Sequence, residues 1–252
     1  MSKIRDIHFF SILRQIPYEN VSKILRLEKA PHERPRESRT VLSEHQSEHF
    51  GGTCFSLVNL VLKSLAVEGI KAYPVMADIH RRSFPHFFAV AEDRDKKYLI
   101  DPGYLINEPL EISKEQPMHL RNGAIDFIVS YLKNEEYQLQ TVSNGQQKTR
   151  YTFHIEALDE SAFREYWIRS FDYINSIVAS RFINGKFIYI HDNYVQIRSR
   201  GNVEKYDQAV KALYYLKKYF SMDEKTIETA NDLLQKRQSK HSVTGNRHTG
   251  GE

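Results

Sequence analysis

The sequence predicts an α+β fold, because helical and strand-like hydrophobic patterns follow one another along a single chain of 252 residues. Apolar residues recur at the helical period over residues 3–29 and form an almost continuous run over 55–67. Further along, Asn144-Gly145 joins two alternating segments at 137–155, which is typical of a β-hairpin. Helical periodicity returns after Leu158, so helices precede and follow the strands.

The N-terminal part predicts short helices followed by one long apolar helix. Pro17 interrupts the first helical pattern, which favours two helices joined at 15–18, and a further short helix is expected over 41–49. The apolar helix starts beside Cys54, after two glycines, and Gly69 is expected to end it.

The remaining elements are predicted from changes in hydrophobic period. Strands are expected at 71–79, 87–91, 97–100 and in hairpins at 137–155 and 186–198. Helices are expected at 159–180, 203–220 and 223–235.

Composition and charge exclude several classes of protein. The longest apolar run is too short to span a bilayer, so no membrane protein is expected. The N-terminus lacks the apolar run of a secretory signal, and a single cysteine permits no internal disulfide, which together favour a cytoplasmic protein. Most of the net charge of +4 lies beyond residue 234, so the body of the chain offers no basic stripe for nucleic acid.

Cys54 is the first candidate catalytic residue. The two preceding glycines let the backbone turn sharply, and the start of a helix offers unpaired N–H groups and the positive end of its dipole. This setting favours the thiolate, which is the form of cysteine that attacks electrophiles. The alternative is a lone cysteine that only fills space in the core.

His86 and Asp101 are the candidate partners of the cysteine. A thiolate nucleophile needs a base, and the base needs an acceptor that orients it. His86 begins one predicted strand and Asp101 closes the next, so an antiparallel hairpin brings imidazole and carboxylate together. Taken singly, the histidine is equally an ordinary sheet residue and the aspartate a turn residue before Pro102.

The motifs around these residues resemble those of the arylamine N-acetyltransferase family. The segments Ile16-Pro17-Tyr18-Glu19-Asn20, Gly51-Gly52-Thr53-Cys54-Phe55, His86 and Tyr98-Leu99-Ile100-Asp101-Pro102-Gly103-Tyr104 follow in the family's order. The resemblance extends over roughly residues 8–220. The chain departs from the family pattern at several positions, among them Phe50, where the family has arginine, and Val58, where it has asparagine.

The resemblance implies a fold, a reaction and roles for individual residues. It implies an N-terminal helical bundle over 1–70, a central antiparallel β-barrel over 71–157 and a C-terminal α/β lid over 158–234, in the arrangement of the transglutaminase- and papain-like cysteine enzymes. We expect residues 235–252 to be a disordered tail. The implied reaction is acyl transfer from acetyl-CoA, through a thioester on Cys54, to an arylamine, hydrazine or related amine, with His86 as base and Asp101 as its orienter.

Further expectations follow from the same resemblance. Gly103 and Tyr104 are expected to contact the acetyl-CoA, and no metal ion is implied. The partners are therefore the acyl-CoA donor and a small amine acceptor, and the oligomeric state stays open.

Three other interpretations of the sequence stay open at this point. The same three residues suit a transglutaminase-like or papain-like hydrolase that acts on amide bonds. His45, Glu48 and His49 match a His-x-x-Glu-His zinc pattern, for which a solvated helix face is the plain alternative. The third interpretation is an inactive relative that serves as a binding module.

Overall fold

The computed structural model describes residues 3–79 and 84–245 of the chain. Its N-terminal part contains short helices and one two-residue strand, and a single turn of 3-10 helix precedes them at Lys3–Asp6. In chain order these elements are α1 (Phe9–Leu13), β1 (Tyr18–Glu19), α2 (Val21–Ile24), α3 (Ser38–Glu48) and α4 (Cys54–Val67). The predicted break at Pro17 is confirmed, and the residues after it form a strand.

Helix α4 is the central helix of the molecule. It begins at Cys54 and is apolar on nearly all sides, which is typical of a helix enclosed by other elements. It packs against α3 and the sheet strands that follow it. At its end Gly69 has a φ of +69°, a conformation that favours glycine, and Ile70 N–H donates to the Leu65 carbonyl at 2.9 Å.

Eight antiparallel strands form a nearly closed barrel in the middle of the chain. They are β2 (Lys71–Asp78), β3 (His86–Asp93), β4 (Lys96–Asp101), β5 (Ile106–Ile112), β6 (Met118–Asn122), β7 (Ile125–Tyr131), β8 (Glu136–Ser143) and β9 (Gln146–His154). Their order is β5-β4-β3-β2-β9-β8-β7-β6, and the two end strands β5 and β6 contact each other. The predicted hairpin at 137–155 is confirmed, whereas β5, β6 and β7 were not expected from the sequence.

Strand β3 lies between two hydrophobic cores. Its Phe88 and Val90 point into the barrel, where they pack with Tyr151 and Phe153 of β9. Its alternate residues belong to a second core that includes α4 and the C-terminal part of the chain. Because both faces of β3 are buried, the position of His86 at its start is tightly determined.

The C-terminal part forms a second sheet covered by helices. After α5 (Glu160–Arg169) come β10 (Val178–Ile183), β11 (Lys186–His191), β12 (Tyr194–Ser199), β13 (Asn202–Asp207), α6 (Ala209–Phe220) and α7 (Glu224–Gly245). The sheet order is β1-β10-β11-β12-β13, so the N-terminal strand β1 joins the C-terminal sheet. The domain boundaries at 70, 157 and 234 stay a prediction.

Two predicted helices in this region were too long. Helix α5 ends at Arg169, a short 3-10 helix follows at Ser170–Tyr173, and only the end of the predicted segment, from Val178, pairs as β10 with β11. The helix expected from residue 203 begins at Ala209, because residues 202–207 pair with β12. At residues 202–207 sheet pairing outweighs the local helical pattern.

The last helix is longer than expected. It continues through Gly245, so residues 235–245, expected to be disordered, are helical. Arg237 explains part of this, since its guanidinium donates to the carbonyls of Phe171 and Asp172, each at 2.9 Å. The rest of the predicted tail, 246–252, lies outside the described residues. Of the helices in the described ranges, none combines the length and apolarity needed to cross a lipid bilayer.

Candidate active site

The start of α4 is held close to the N-terminal strand. Gly52 forms a parallel bridge with Tyr18, and Glu19 N–H donates to the Gly52 carbonyl at 3.0 Å. A Cβ on Gly51 would lie 1.8 Å from the Pro17 carbonyl oxygen, and one on Gly52 would lie 2.2 Å from Ser56 Oγ. The backbone contact leaves no room for a side chain at Gly51, and the two glycines lead the chain to Cys54, the first residue of the helix.

A buried carboxylate fixes this loop. Glu19 is fully buried, and its carboxylate accepts hydrogen bonds from Gly51 N–H at 3.1 Å and Ser22 N–H at 2.9 Å. The Arg36 Nη1 atom lies 3.9 Å from Oε1 of this carboxylate. The Arg36 guanidinium also donates to the Gly51 carbonyl at 2.7 Å and to Ser22 Oγ.

Arg36 supplies the buried cation in a loop where Phe50 replaces the arginine of the family pattern. We expect Arg36→Met to lower the free energy of unfolding by about 3–5 kcal/mol, because it leaves a buried carboxylate without its cation. Denaturant unfolding measures this change, and Arg39→Met, at an exposed position of α3, is the matched control. Equal effects of the two substitutions would contradict the assignment.

His86 and Asp101 form a buried hydrogen-bonded pair. The His86 Nε2 atom lies 2.9 Å from both carboxylate oxygens of Asp101, and the side chains are 9% and 0% exposed. Asp101 ends β4 at an irregularity of its pairing with β5, which turns the carboxylate towards the histidine. It also accepts hydrogen bonds from Tyr151 Oη at 2.7 Å and from Tyr104 N–H at 3.2 Å. The sequence did not indicate Tyr151, since nothing in its hairpin marks one tyrosine above another.

Cys54 and this pair meet around Gly103. A Cβ added at Gly103 would lie 2.5 Å from His86 Cε1, 3.1 Å from Asp101 Oδ1 and 3.3 Å from Cys54 Cβ. The structure thus brings together the three side chains that the sequence singled out, with the thiol half-buried. Because Nε2 faces the carboxylate, Nδ1 is the ring nitrogen left to exchange a proton with the thiol.

The electrostatics of the site favour a charged imidazole. Burial opposes the charge, but the charge and hydrogen bond of Asp101, with a smaller contribution from Cys54, outweigh it and raise the pKa of His86 to about 10. The imidazole is therefore protonated at neutral pH. A protonated ring beside the thiol can pair with a thiolate and deliver a proton to a leaving group.

Gly103 lies against all three side chains, and Tyr104 contacts His86 and Asp101. The Tyr104 ring meets the His86 ring edge-on, with centroids 5.2 Å apart. Their contact with acetyl-CoA stays a prediction. Of the proposed zinc pattern, His45 has a different partner, since its Nδ1 atom lies 2.9 Å from the Phe50 carbonyl oxygen. No group of three His, Cys, Asp or Glu side chains able to hold a metal ion occurs in the part of the chain that the structure describes.

Several solved structures similar to this chain are arylamine N-acetyltransferases. One is a cysteine-to-glutamine variant from Mycobacterium smegmatis, with a TM-score of 0.72, 14% identity, and coverage of 90% of this chain and 89% of that one. The Mycobacterium marinum enzyme in complex with CoA gives a TM-score of 0.71, 15% identity and coverage of 93% and 90%. NAT3 from Bacillus cereus, described as having a Cys-His-Glu catalytic triad, gives a TM-score of 0.66 and 15% identity, with coverage of 84% of this chain and 88% of that one.

A thiol, an imidazole and a carboxylate gathered at the start of a buried helix are the groups of a cysteine-dependent acyl-transfer enzyme. The family model described as N-acetyltransferase matches residues 2–226. The chain therefore belongs to the N-acetyltransferase family, and the predicted family and α+β fold are confirmed. A comparison with curated protein sequences finds no significant match.

Proposed function

We propose that the protein transfers an acetyl group from acetyl-CoA to an aromatic amine, hydrazine or hydroxylamine through a thioester on Cys54. The observation that carries the proposal is the meeting of Cys54, His86 and Asp101 around Gly103 in a chain of the N-acetyltransferase family. Family membership favours this reaction over amide hydrolysis by the same three residues.

The first half-reaction loads the cysteine. The Cys54 thiolate attacks the carbonyl carbon of the donor, a carbon–sulfur bond forms to Cys54, and the bond to the CoA sulfur breaks. Imidazolium His86 gives its Nδ1 proton to the departing thiolate, so CoA leaves as a thiol. The first N–H groups of α4, which have no partner one turn earlier in the helix, are placed to stabilise the oxyanion.

The second half-reaction unloads the cysteine. His86, now neutral, takes a proton from the incoming amine as its nitrogen attacks the thioester carbonyl. A carbon–nitrogen bond forms, the bond to Cys54 sulfur breaks, and the thiolate–imidazolium pair returns. Asp101 holds the ring in one orientation through both steps, with Tyr151 and Tyr104 N–H fixing the carboxylate.

A cleft lined by Leu105, two residues after Gly103, suits the part of the CoA donor beyond the thioester. It has a volume of about 390 Å³, and its lining includes Leu105, Asn107, Arg121 and Arg181. Asn107 Oδ1 and Arg181 Nε are buried and, among the described residues, have no hydrogen-bond partner. The Asn107 oxygen can accept a hydrogen bond from an amide N–H of the pantetheine arm of CoA, and Arg181 Nε can donate one to an amide carbonyl. The arginines of the cleft can bind the phosphates of CoA. In our proposal the donor passes Gly103 and Tyr104 on its way from this cleft to the Cys54 thiol.

Arg121 tests this assignment, because it lines the cleft from an exposed position. We expect Arg121→Met to weaken CoA binding about three- to tenfold at low salt, with a smaller effect at high salt, because an exposed cation is screened. Isothermal titration of CoA into the protein measures this change, and Arg94→Met, at an exposed position in the turn between β3 and β4, is the control. Equal CoA affinity in both variants at low salt would place the donor elsewhere.

Aromatic side chains beside the thiol support an aromatic acceptor. Phe55 directly follows Cys54 in the chain. The centre of the Phe84 ring lies 6.1 Å from that of the Phe55 ring and 4.5 Å from that of the half-exposed Tyr173 ring. Offset and edge-on ring pairs of this kind favour a further aromatic ring as their neighbour.

Initial-rate kinetics test the proposal. With acetyl-CoA and an aromatic amine varied together, double displacement gives parallel reciprocal plots. Intersecting plots would contradict the thioester intermediate. Turnover of an amide substrate with water, and none with acetyl-CoA, would support the hydrolase instead.

A further inference from the structure

Lys23 is a buried cation that the reaction described above does not use. It belongs to α2 and is only 8% exposed. Its ammonium donates to Ser170 Oγ at 2.6 Å and to the Ser170 carbonyl at 3.1 Å, and it lies 4.6 Å from the centre of the Phe171 ring. These contacts tie α2 to the turn that follows α5.

The partners of this ammonium are neutral. In the described ranges, its hydrogen-bond partners are the two Ser170 oxygens, and no carboxylate lies within ion-pair distance of its nitrogen. A buried ammonium with neutral partners is costly, and such a cation is kept where its charge acts on another group.

The group that most favours the charge of this ammonium is Cys54. The Lys23 ammonium lies 5.9 Å from the centre of the Phe55 ring, and Phe55 directly follows Cys54 in α4. Burial lowers the pKa of Lys23 to about 7, while the charge of Cys54 acts in the opposite direction as the largest favourable influence on the ammonium. Lysine and cysteine are therefore electrically coupled across the base of α4.

The other charged groups that face Lys23 act on it in opposite directions. Arg237 of α7 opposes its charge, and Asp172 of the turn after α5 favours it. Arg34, in the loop before α3, lies 5.8 Å from the other ring that Lys23 contacts, that of Phe171. None of these groups belongs to the catalytic trio.

We propose that Lys23 is a positioning residue that holds a positive charge near the start of α4 and thereby favours the thiolate of Cys54 over the thiol. The proposal rests on the proposed function of Cys54 as nucleophile. It assigns to the N-terminal helices an electrostatic role in addition to packing.

The test is the pH profile of Cys54 alkylation by iodoacetamide, followed from about pH 4 to about pH 10. Cys54 is the single cysteine, so the rate reports on one thiol. We expect Lys23→Met to move the acid limb of the profile to higher pH, with alkylation on that limb slowed about tenfold. Above about pH 8 the profiles of wild type and variant converge, because Lys23 is then neutral in the wild type.

Matched variants separate charge from packing. Lys23→Arg keeps the charge and is expected to retain the wild-type limb, while Lys23→Gln repeats the effect of Lys23→Met with a polar side chain. Lys63→Met, at an exposed position of α4 paired with Glu160, is the control and is expected to leave the profile unchanged. Denaturant unfolding of each variant confirms that the protein compared is folded.

Two outcomes overturn different statements. Superimposed profiles for wild type and folded Lys23→Met would mean that Lys23 only fills space, and the nucleophile proposal would stand. Wild-type alkylation that begins only above about pH 8, as for a free thiol, would instead remove the activated Cys54 on which both proposals depend.

Discussion

Replacement of Cys54 by serine is expected to abolish acetyl transfer, with kcat reduced by more than about 1,000-fold. The protein holds His86 as an imidazolium through the charge of Asp101, and a charged ring cannot take the proton of a serine hydroxyl. The thiol, by contrast, gives up its proton to form the ion pair. Acetyl transfer from acetyl-CoA to an aromatic amine, monitored by release of free CoA thiol, measures the loss.

The control for this substitution is Ser64→Ala, a similarly small change on the same helix. It is expected to retain wild-type turnover, and both variants are expected to unfold at similar denaturant concentrations. A serine variant with rates within a few-fold of wild type would show that residue 54 does not carry the acyl group.

Replacement of Asp101 by asparagine is expected to lower kcat by about 1,000- to 10,000-fold, because an amide accepts through one oxygen only and its NH₂ group faces the Nε2–H of His86. Without the carboxylate, the pKa of His86 falls from its raised value, since Asp101 is the main cause of the increase. The acid limb of the Cys54 alkylation profile is then expected to move to higher pH, because an uncharged ring no longer stabilises the thiolate.

Asp126→Asn is the matched control on the same barrel. Its carboxylate accepts a backbone hydrogen bond from Asn122 at 3.2 Å, away from the site. We expect it to leave both kcat and the alkylation profile unchanged. An Asp101→Asn variant with an unshifted profile would contradict the role of Asp101 in charging the imidazole.

The sequence was sufficient for the elements with strong local signals. The long apolar run and Gly69 predicted α4 to within a residue, and Asn144-Gly145 predicted the β8–β9 hairpin. Cys54, His86 and Asp101 were found because each stands at the end of such an element, where local prediction is enough to place side chains close together.

Other features depend on contacts between distant residues, which local patterns do not reveal. Strand β13 has a helical pattern and forms a strand because β12 lies beside it. Arg36 and Lys23 come from segments that look like solvated loop and helix, yet both are buried by elements far away in sequence. Their significance is visible only once Gly51 and Ser170 are placed next to them.

The covalent intermediate is tested most directly by intact-protein mass spectrometry after incubation with acetyl-CoA in the absence of an acceptor amine. The account predicts that the wild-type protein gains the mass of one acetyl group, that peptide mapping locates it on Cys54, and that addition of an aromatic amine removes it. A wild-type protein that stays unmodified while it acetylates the amine at full rate would contradict transfer through the cysteine.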